Sequence, residues 1–477
     1  MNKWRLAQWG VLLIALLATA LRLYQLGAKS FWFDECFTRL ATLAPLGDSL
    51  ATLLVAGIYS PLYFLLLRPV TALAGVSEYA FRFLSAAFGV LAIPAIYQLG
   101  RKLIGEAGGV AAALLLAACP FHIWYSQDAR MYAPMALFSV LAMDRFALLQ
   151  RNPRRWIFFS VGSGLAYLMH YASFSLLYVQ LIHLLPRLRE TRLARRWLLA
   201  QVAAFIPLMP WLAWYVASGA RPTGLGWIPS PGLLAPLQTL WNFVTADTET
   251  ITLPVVVLMV GVALVFLRGF FPWNENRRLL AWWLALPIGS LFLLSLRRPY
   301  YVDRYLMASL PAYLLLLSSG IMAWRRVTWR IAALAVALIT MLWGTSRLYA
   351  DPLFAKEEWR GATAAIEAGL AQDDVVLAQD QETLIGTSVY RTREWPRVVL
   401  SEESSWTIEA MTARYKRVWL VWRSPREYNH RLSKSDPFDV FAEASPPVRA
   451  WLAAHQDQVA VDLRLPGLSV VRVDRER

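Results

Sequence analysis

The sequence predicts a polytopic α-helical membrane protein with a small α/β domain at its C-terminal end. Three observations carry this. Of 477 residues, 57% are hydrophobic and only 17% charged, where soluble chains carry about 25% charged residues. Mean hydropathy is +0.43. Eleven apolar runs approach the ~20 residues needed to cross a ~30 Å hydrocarbon core, and such runs stop near Tyr349.

The runs fall near 8–26, 79–100, 107–125, 131–149, 156–171, 172–186, 197–216, 251–268, 278–296, 304–323 and 328–347. Basic clusters mark one side of them: Lys3/Arg5, Arg101/Lys102, Arg151/Arg154/Arg155, Arg187 to Arg196, Arg268/Arg277/Arg278 and Arg325/Arg326/Arg330. Each lies at the N-terminus or on an even-numbered connection, the cytoplasmic side by the positive-inside rule. Residues 1–349 therefore form the membrane domain. Its first external loop, 27–78, holds the apolar segment Ser60 to Gly75, which reads as an interfacial or re-entrant piece; a crossing there would move Arg101/Lys102 outside. The first run also has a signal-peptide reading, with Ala18-Thr19-Ala20 as a cleavage site, but it continues to Leu26 and further spans follow.

The net charge of +15 is uneven. Residues 351–477 hold 17 Lys/Arg and 20 Asp/Glu, leaving 30 basic and 12 acidic side chains in the first 350. Basic residues bordering apolar runs are topology signals, so no nucleic-acid partner is expected. Cys36 and Cys119 support neither a disulfide framework nor a Cys-based metal site. Residues 350–477 form an extracytoplasmic α/β domain. Its strands are expected at Val375–Gln379, Arg417–Trp422, Val459–Leu463 and Leu468–Val473, and its helices at Glu357–Gly369, Ser405–Tyr415 and Val448–His455. No phosphate-binding or dinucleotide-binding glycine motif occurs, so no nucleotide cofactor is expected.

Acidic residues sort by side. Glu106, Glu190 and Glu275 sit in basic cytoplasmic loops as solvated counter-ions, and Asp144 near a cytoplasmic helix end, where it reaches water. Asp34, Glu35, Asp48, Glu78, Asp128, Asp247, Glu249 and Asp303 collect outside. Asp34-Glu35 lies among Phe31, Trp32, Phe33 and Phe37, where partial desolvation raises basicity and suits a general base. An exposed loop pair beside an aromatic belt is the plainer alternative. Asp128 and Arg130 occupy the turn between the third and fourth runs, as a local pair closing a helical hairpin or as site residues. Asp34 and Asp128 together are candidate ligands for a divalent cation. Arg297, Arg298 and Arg304, within Arg297–Tyr305, lie outside against the positive-inside trend, as do Lys29, Arg39 and Arg82. An anionic ligand would account for them, since Arg grips phosphate through a planar fork of donors. A local Asp303–Arg304 pair stacked on tyrosines is the alternative. His122 and His170 read as satisfied interface histidines.

These pieces in this order resemble the GT-C fold glycosyltransferases of the family 39 or ArnT-like kind, protein-mannosyltransferase-like membrane enzymes that use polyprenyl-phosphate sugars. The matching residues are Phe31-Trp32-Phe33-Asp34-Glu35, Ser60-Pro61-Leu62-Tyr63-Phe64-Leu65-Leu66, Glu78-Tyr79-Ala80-Phe81-Arg82-Phe83-Leu84-Ser85, Ser126-Gln127-Asp128-Ala129-Arg130-Met131-Tyr132 and Asp303-Arg304-Tyr305. The tail, opening with Lys356-Glu357-Glu358-Trp359-Arg360-Gly361, looks like the variable periplasmic domain of such proteins. The resemblance implies an inverting transfer at the outer face of a bacterial inner membrane, from a polyprenyl-phosphate sugar to a lipid, glycan or protein acceptor. The partners it implies are that donor, the membrane lipids and an extracytoplasmic acceptor. It implies Asp34 as base, Glu35 as its acidic partner and Asp128 as the second-loop acidic residue. Donor-phosphate contacts are assigned by charge to Arg304, Arg130 and Arg82, with Tyr301 beside them. Relatives often show His-Pro-Pro or Lys-Pro where this chain has Tyr59-Ser60-Pro61, so Lys29, Arg68, Arg82 or Arg130 would have to replace that basic contact. A lipid-linked glycan transporter or a non-catalytic membrane subunit is the alternative; a secondary transporter would place its ionisable residues at the membrane midplane, often in repeated halves.

Overall fold

The computed structural model describes residues 3–55, 60–219, 228–246, 252–400, 405–423 and 446–474. Tyr59, Asp247 and Glu249 lie outside the described residues. The chain forms two compact units: Met1–Leu26, Ala41–Gly75 and Tyr79–Ala350 in one, and Gly27–Leu40, Val76–Glu78 and Asp351–Arg477 in the other. The sequence reading placed all of 27–78 with the membrane region. The start of that loop instead belongs to the C-terminal unit, because its hydrogen bonds are made to residues after Asp351, such as Phe31 to Tyr390.

The first unit is helical. Among the described residues, six helices are long and apolar enough to cross a membrane, or seven if a bent pair counts as one. The runs expected at 156–171, 172–186, 251–268 and 304–323 carry shorter helices: Trp156–Met169, Ser175–Leu184, Leu253–Arg268 and Leu310–Met322. At 1.5 Å per residue, even the 16 residues of Leu253–Arg268 fall short of a ~30 Å core. The apolar segment Ser60 to Gly75 forms the helix Leu62–Ala74.

Glycines set the close approaches. A Cβ on Gly320 would overlap the Val265 carbonyl and one on Gly269 the Leu316 carbonyl, so these two helices touch backbone to backbone. Asp144 does not reach water: it is buried and pairs with Lys102 at 2.5 Å, close to the Arg145 guanidinium.

The expected run at 107–125 is broken. Helices Glu106–Ala118 and Pro120–Ser126 meet at a 59° bend. Pro120 has no N–H to give the Leu116 carbonyl, so the first helix must stop there. The guanidinium of Arg22, fully buried, reaches the freed oxygens of Leu116 (3.0 Å) and Ala117 (3.2 Å), as well as Ala18 O and His122 Nδ1 (2.8 Å). A cation at a helix C-terminus is favourable, and this one also satisfies buried acceptors. Gln127 returns the contact, donating to the Arg22 and Tyr24 carbonyls at 3.1 and 2.7 Å where the first helix ends.

The second unit holds a five-stranded sheet: β1 (Asp374–Ala378), β2 (Arg397–Val399), β3 (Arg417–Arg423), β4 (Val459–Leu465) and β5 (Leu468–Asp474), in the order β2-β1-β3-β5-β4. β2, β1 and β3 are parallel, while β5 and β4 run antiparallel, joined at Gly467 with φ +67°. β1 is buried throughout, as a central parallel strand should be, and edge strand β4 alternates. Val375, Leu377, Leu420, Trp422, Val471 and Val473 form its core with Ile408 and Leu452. The strands and helices expected in this tail are present. Strand β2 and the helix Gln381–Tyr390 were not expected. The first has only three residues, and the second carries Gly, Thr and Val but is capped by Asp380, which accepts from the Thr383 N–H at 2.6 Å.

Candidate active site

In the membrane unit, three of the quoted motifs meet at one hydroxyl. Ser85 donates to the Arg130 carbonyl at 2.8 Å and accepts from Tyr63 at 2.7 Å, and all three residues are buried. Helix Leu62–Ala74, long helix Glu78–Ile104 and the Asp128–Arg130 turn are thereby fixed to one another. Arg82 is buried and donates to the Leu26 carbonyl at 2.9 Å, where the first helix has ended. Asp128 is fully buried, and its carbonyl accepts from the Arg130 N–H at 2.7 Å in a tight turn.

Arg130 is 1% exposed and Arg304 5%. Both lie near His170. Arg304 also lies over the Tyr132 and Tyr305 rings at 5.9 and 6.0 Å, and His170 packs against the same rings at 5.8 and 5.4 Å. Two guanidinium groups and three aromatic rings thus share one interior neighbourhood. Guanidinium over a ring face is a favourable cation–π arrangement, which keeps the group oriented.

Asp303 and Tyr301 turn elsewhere. Asp303 accepts from the Thr239 hydroxyl at 2.6 Å and from Asn242, and the Tyr301 hydroxyl lies 2.7 Å from the same Thr239 oxygen. Burial pushes the Asp303 carboxyl above its ordinary range despite these bonds. The pair anchors the Arg304 segment to helix Ala235–Thr245.

In the second unit, Asp34 and Glu35 open helix Phe33–Leu43. Trp32 is the N-cap, and Glu35, three residues on, bonds back to its N–H at 3.3 Å, the reciprocal half of a capping box. Glu35 is fully buried and ion-paired with Lys356 at 3.0 Å, itself 5% exposed. The next N–H, that of Phe33, is taken by Glu357 at 2.8 Å; the same carboxylate accepts from the Trp359 indole at 2.7 Å and faces Arg423 at 3.4 Å. Burial pushes the Glu357 carboxyl up, against the lowering charge of Arg423. Phe31 N–H donates to the Tyr390 hydroxyl at 2.7 Å, and that hydroxyl donates to Glu78 at 2.6 Å. Asp34 is 9% exposed.

The structure therefore brings Arg130 and Arg304 together around His170, ties Asp128 and Arg130 into one turn, and holds Asp34 and Glu35 on one helix start. Among the described residues, no group of three or more His, Cys, Asp or Glu could hold a metal ion. Sequence reasoning missed Arg22, Gln127, Lys356 and Glu357. A signal existed for Arg22, since a charge inside an apolar span marks a specific partner. His170 is satisfied in part, as expected: its Nδ1 accepts from the Ala172 N–H at 3.1 Å, and Tyr132 and Tyr305 pack against its ring.

Residues 59–214 match the family model of the dolichyl-phosphate-mannose-protein mannosyltransferases. The fold matches ArnT from Cupriavidus metallidurans in the apo state with a TM-score of 0.64 at 13% identity, covering 98% of each chain. The form of that protein bound to undecaprenyl phosphate matches at 0.58 and 12%, covering 97% of each. The archaeal oligosaccharyltransferase AglB from Archaeoglobus fulgidus, in complex with an inhibitory peptide and a dolichol-phosphate, matches at 0.50 and 14%, covering 88% of this chain and 70% of that one. No curated protein sequence matches the chain. The chain has the GT-C fold of ArnT.

Proposed function

We propose that the protein is an inverting glycosyltransferase of the cell membrane, moving a sugar from a polyprenyl-phosphate donor to an acceptor at the outer face. The observation that carries this is the pair of buried arginines, Arg130 and Arg304, set around His170 and tyrosine rings in an apolar unit. A guanidinium group held in place offers a planar fork of donors that fits the oxygens of a phosphate diester through charge-assisted bonds. The ArnT structure with undecaprenyl phosphate and the AglB structure with dolichol-phosphate support a polyprenyl phosphate as the anion.

The chemistry follows. The acceptor hydroxyl attacks the anomeric carbon on the face opposite the phosphate. Asp34 takes the hydroxyl proton, the bond from the anomeric carbon to the phosphate oxygen breaks, and its electron pair leaves on polyprenyl phosphate. Negative charge grows on that phosphate in the transition state, so preorganised guanidinium groups lower the barrier. Arg304 and Arg130 supply them, with Arg82 holding the loop around Leu26 in place. Tyr301 acts through Thr239, by fixing the segment that carries Arg304.

Protein purified in native lipid is expected to retain a polyprenyl-phosphate sugar detectable by mass spectrometry, and Arg304→Ala to lose it. Retention in Arg304→Ala at the wild-type level would remove Arg304 from the donor site. Absence of any such lipid from the wild type, even after adding it, would favour the transporter or structural alternatives.

A further inference from the structure

We infer that the C-terminal domain builds the seat of the catalytic base: Lys356 and Glu357 are positioning residues that fix the helix start bearing Asp34. The inference rests on Asp34 being the base, as proposed above.

The first N–H groups of any helix lack partners within it. In helix Phe33–Leu43 they cannot be left to water, because Phe31, Trp32 and Glu35 are buried. Two carboxylates take them. Glu35 takes Trp32 N–H from within the helix, and Glu357 takes Phe33 N–H at 2.8 Å from 324 residues away. Asp34 sits between, one residue from each contact.

Glu35 could not serve alone. A fully buried carboxylate needs a counter-charge, and Lys356 supplies it at 3.0 Å. Removing Lys356 would force Glu35 either to take a proton or to leave the interior, and both would weaken the cap at Trp32. Further ties act at the edges of the segment: Lys29 donates to Phe354 O at 2.9 Å, Ser30 accepts from Arg360 N–H at 3.2 Å, and Arg39 donates to Val389 O at 3.2 Å. Arg423 lies 4.9 Å from the centre of the Phe33 ring. The loop from Lys29 to Arg39 is thus seated on residues after Asp351 along its whole length. Glu35 is a positioning residue in this arrangement, not a second base. The reacting group is Asp34, and the domain's own sequence, Lys356-Glu357, decides where it stands.

The test compares Lys356→Met, Lys356→Arg, Glu35→Gln and the double variant Glu35→Gln/Lys356→Met in monodisperse full-length protein. Displacing a catalytic group by ~1 Å can cost about 100-fold in rate. Lys356→Met is therefore expected to lower kcat about 100-fold while retention of the donor lipid and donor KM stay within about twofold. Lys356→Arg should recover most of the loss. The double variant should be no slower than Lys356→Met alone, because the two residues act as one unit. A purely structural role would reduce the yield of folded protein but leave kcat per folded molecule unchanged. Normal kcat in folded Lys356→Met would overturn the inference. If that variant does not fold, Lys356→Arg and the neutral double variant decide by the same readouts. Asp34→Asn separates the two claims: full turnover there sinks the base itself, while an inactive Asp34→Asn beside a fully active Lys356→Met sinks only the seating by Lys356.

Discussion

Arg22→Met would unmake the joint between the first helix and the broken one. The guanidinium makes four hydrogen bonds, to Ala18, Leu116 and Ala117 carbonyls and to His122 Nδ1. Met fills similar volume but donates nothing. Ala18 O keeps its place inside a helix, while Pro120 cannot serve Leu116, so at least that carbonyl and the His122 nitrogen are left in an apolar interior. Each orphaned buried acceptor costs about 1–3 kcal/mol. Relief from burying a charge offsets part of this, and a net loss of about 3 kcal/mol remains. For a protein of this size that is a fall in Tm of about 3 °C, read by thermal unfolding in detergent. Arg22→Lys, with one compact donor group, should recover only part of it. Turnover should fall as well, because Gln127 grips the same helix end through the Arg22 and Tyr24 carbonyls, and Asp128 follows it directly. A Tm within about 1 °C of wild type, with normal turnover, would refute the reasoning.

Two further predictions concern the second unit. Burial raises the Glu357 carboxyl, so the native state binds its proton more tightly than the unfolded chain and stability falls as pH rises through the raised value. Thermal unfolding should then show Glu357→Gln gaining on wild type as pH rises from about 4.5 to 7; a difference independent of pH would contradict it. A single cysteine introduced at an exposed position of residues 351–477, in a background without Cys36 and Cys119, is expected to react with a membrane-impermeant reagent from outside the cell. Reaction only from the cytoplasmic side would reverse the orientation.

Much of the fold was legible because apolar runs and charge sidedness are strong signals over a ~20-residue window. The break at Cys119–Pro120 was written in the sequence as a proline, yet its consequence depends on Arg22, which contacts Ala117 across 95 positions. Periodicity carries no information about such a pair. The site was legible as motifs and not as a network. Ser85 lay in a quoted motif, but nothing in one dimension shows that its hydroxyl joins Tyr63 to Arg130. The motif marks Asp34-Glu35 as an acidic pair, yet nothing local shows that Lys356, 321 positions away, ion-pairs with Glu35. Arg304 was picked out by charge alone, whereas the tyrosines and His170 that frame it come from separate parts of the chain.

The central claim is transfer of a sugar from a polyprenyl phosphate with Asp34 as base. The most direct measurement incubates purified protein with a polyprenyl-phosphate sugar and membrane extract, and follows release of polyprenyl phosphate together with appearance of the sugar on a new product. Wild type is expected to produce both in equal amounts. Asp34→Asn, folded and still holding the donor, should be slower by at least about 100-fold, the contribution of a positioned base. Undiminished transfer by Asp34→Asn, or no acceptor-dependent release by wild type, would contradict the account.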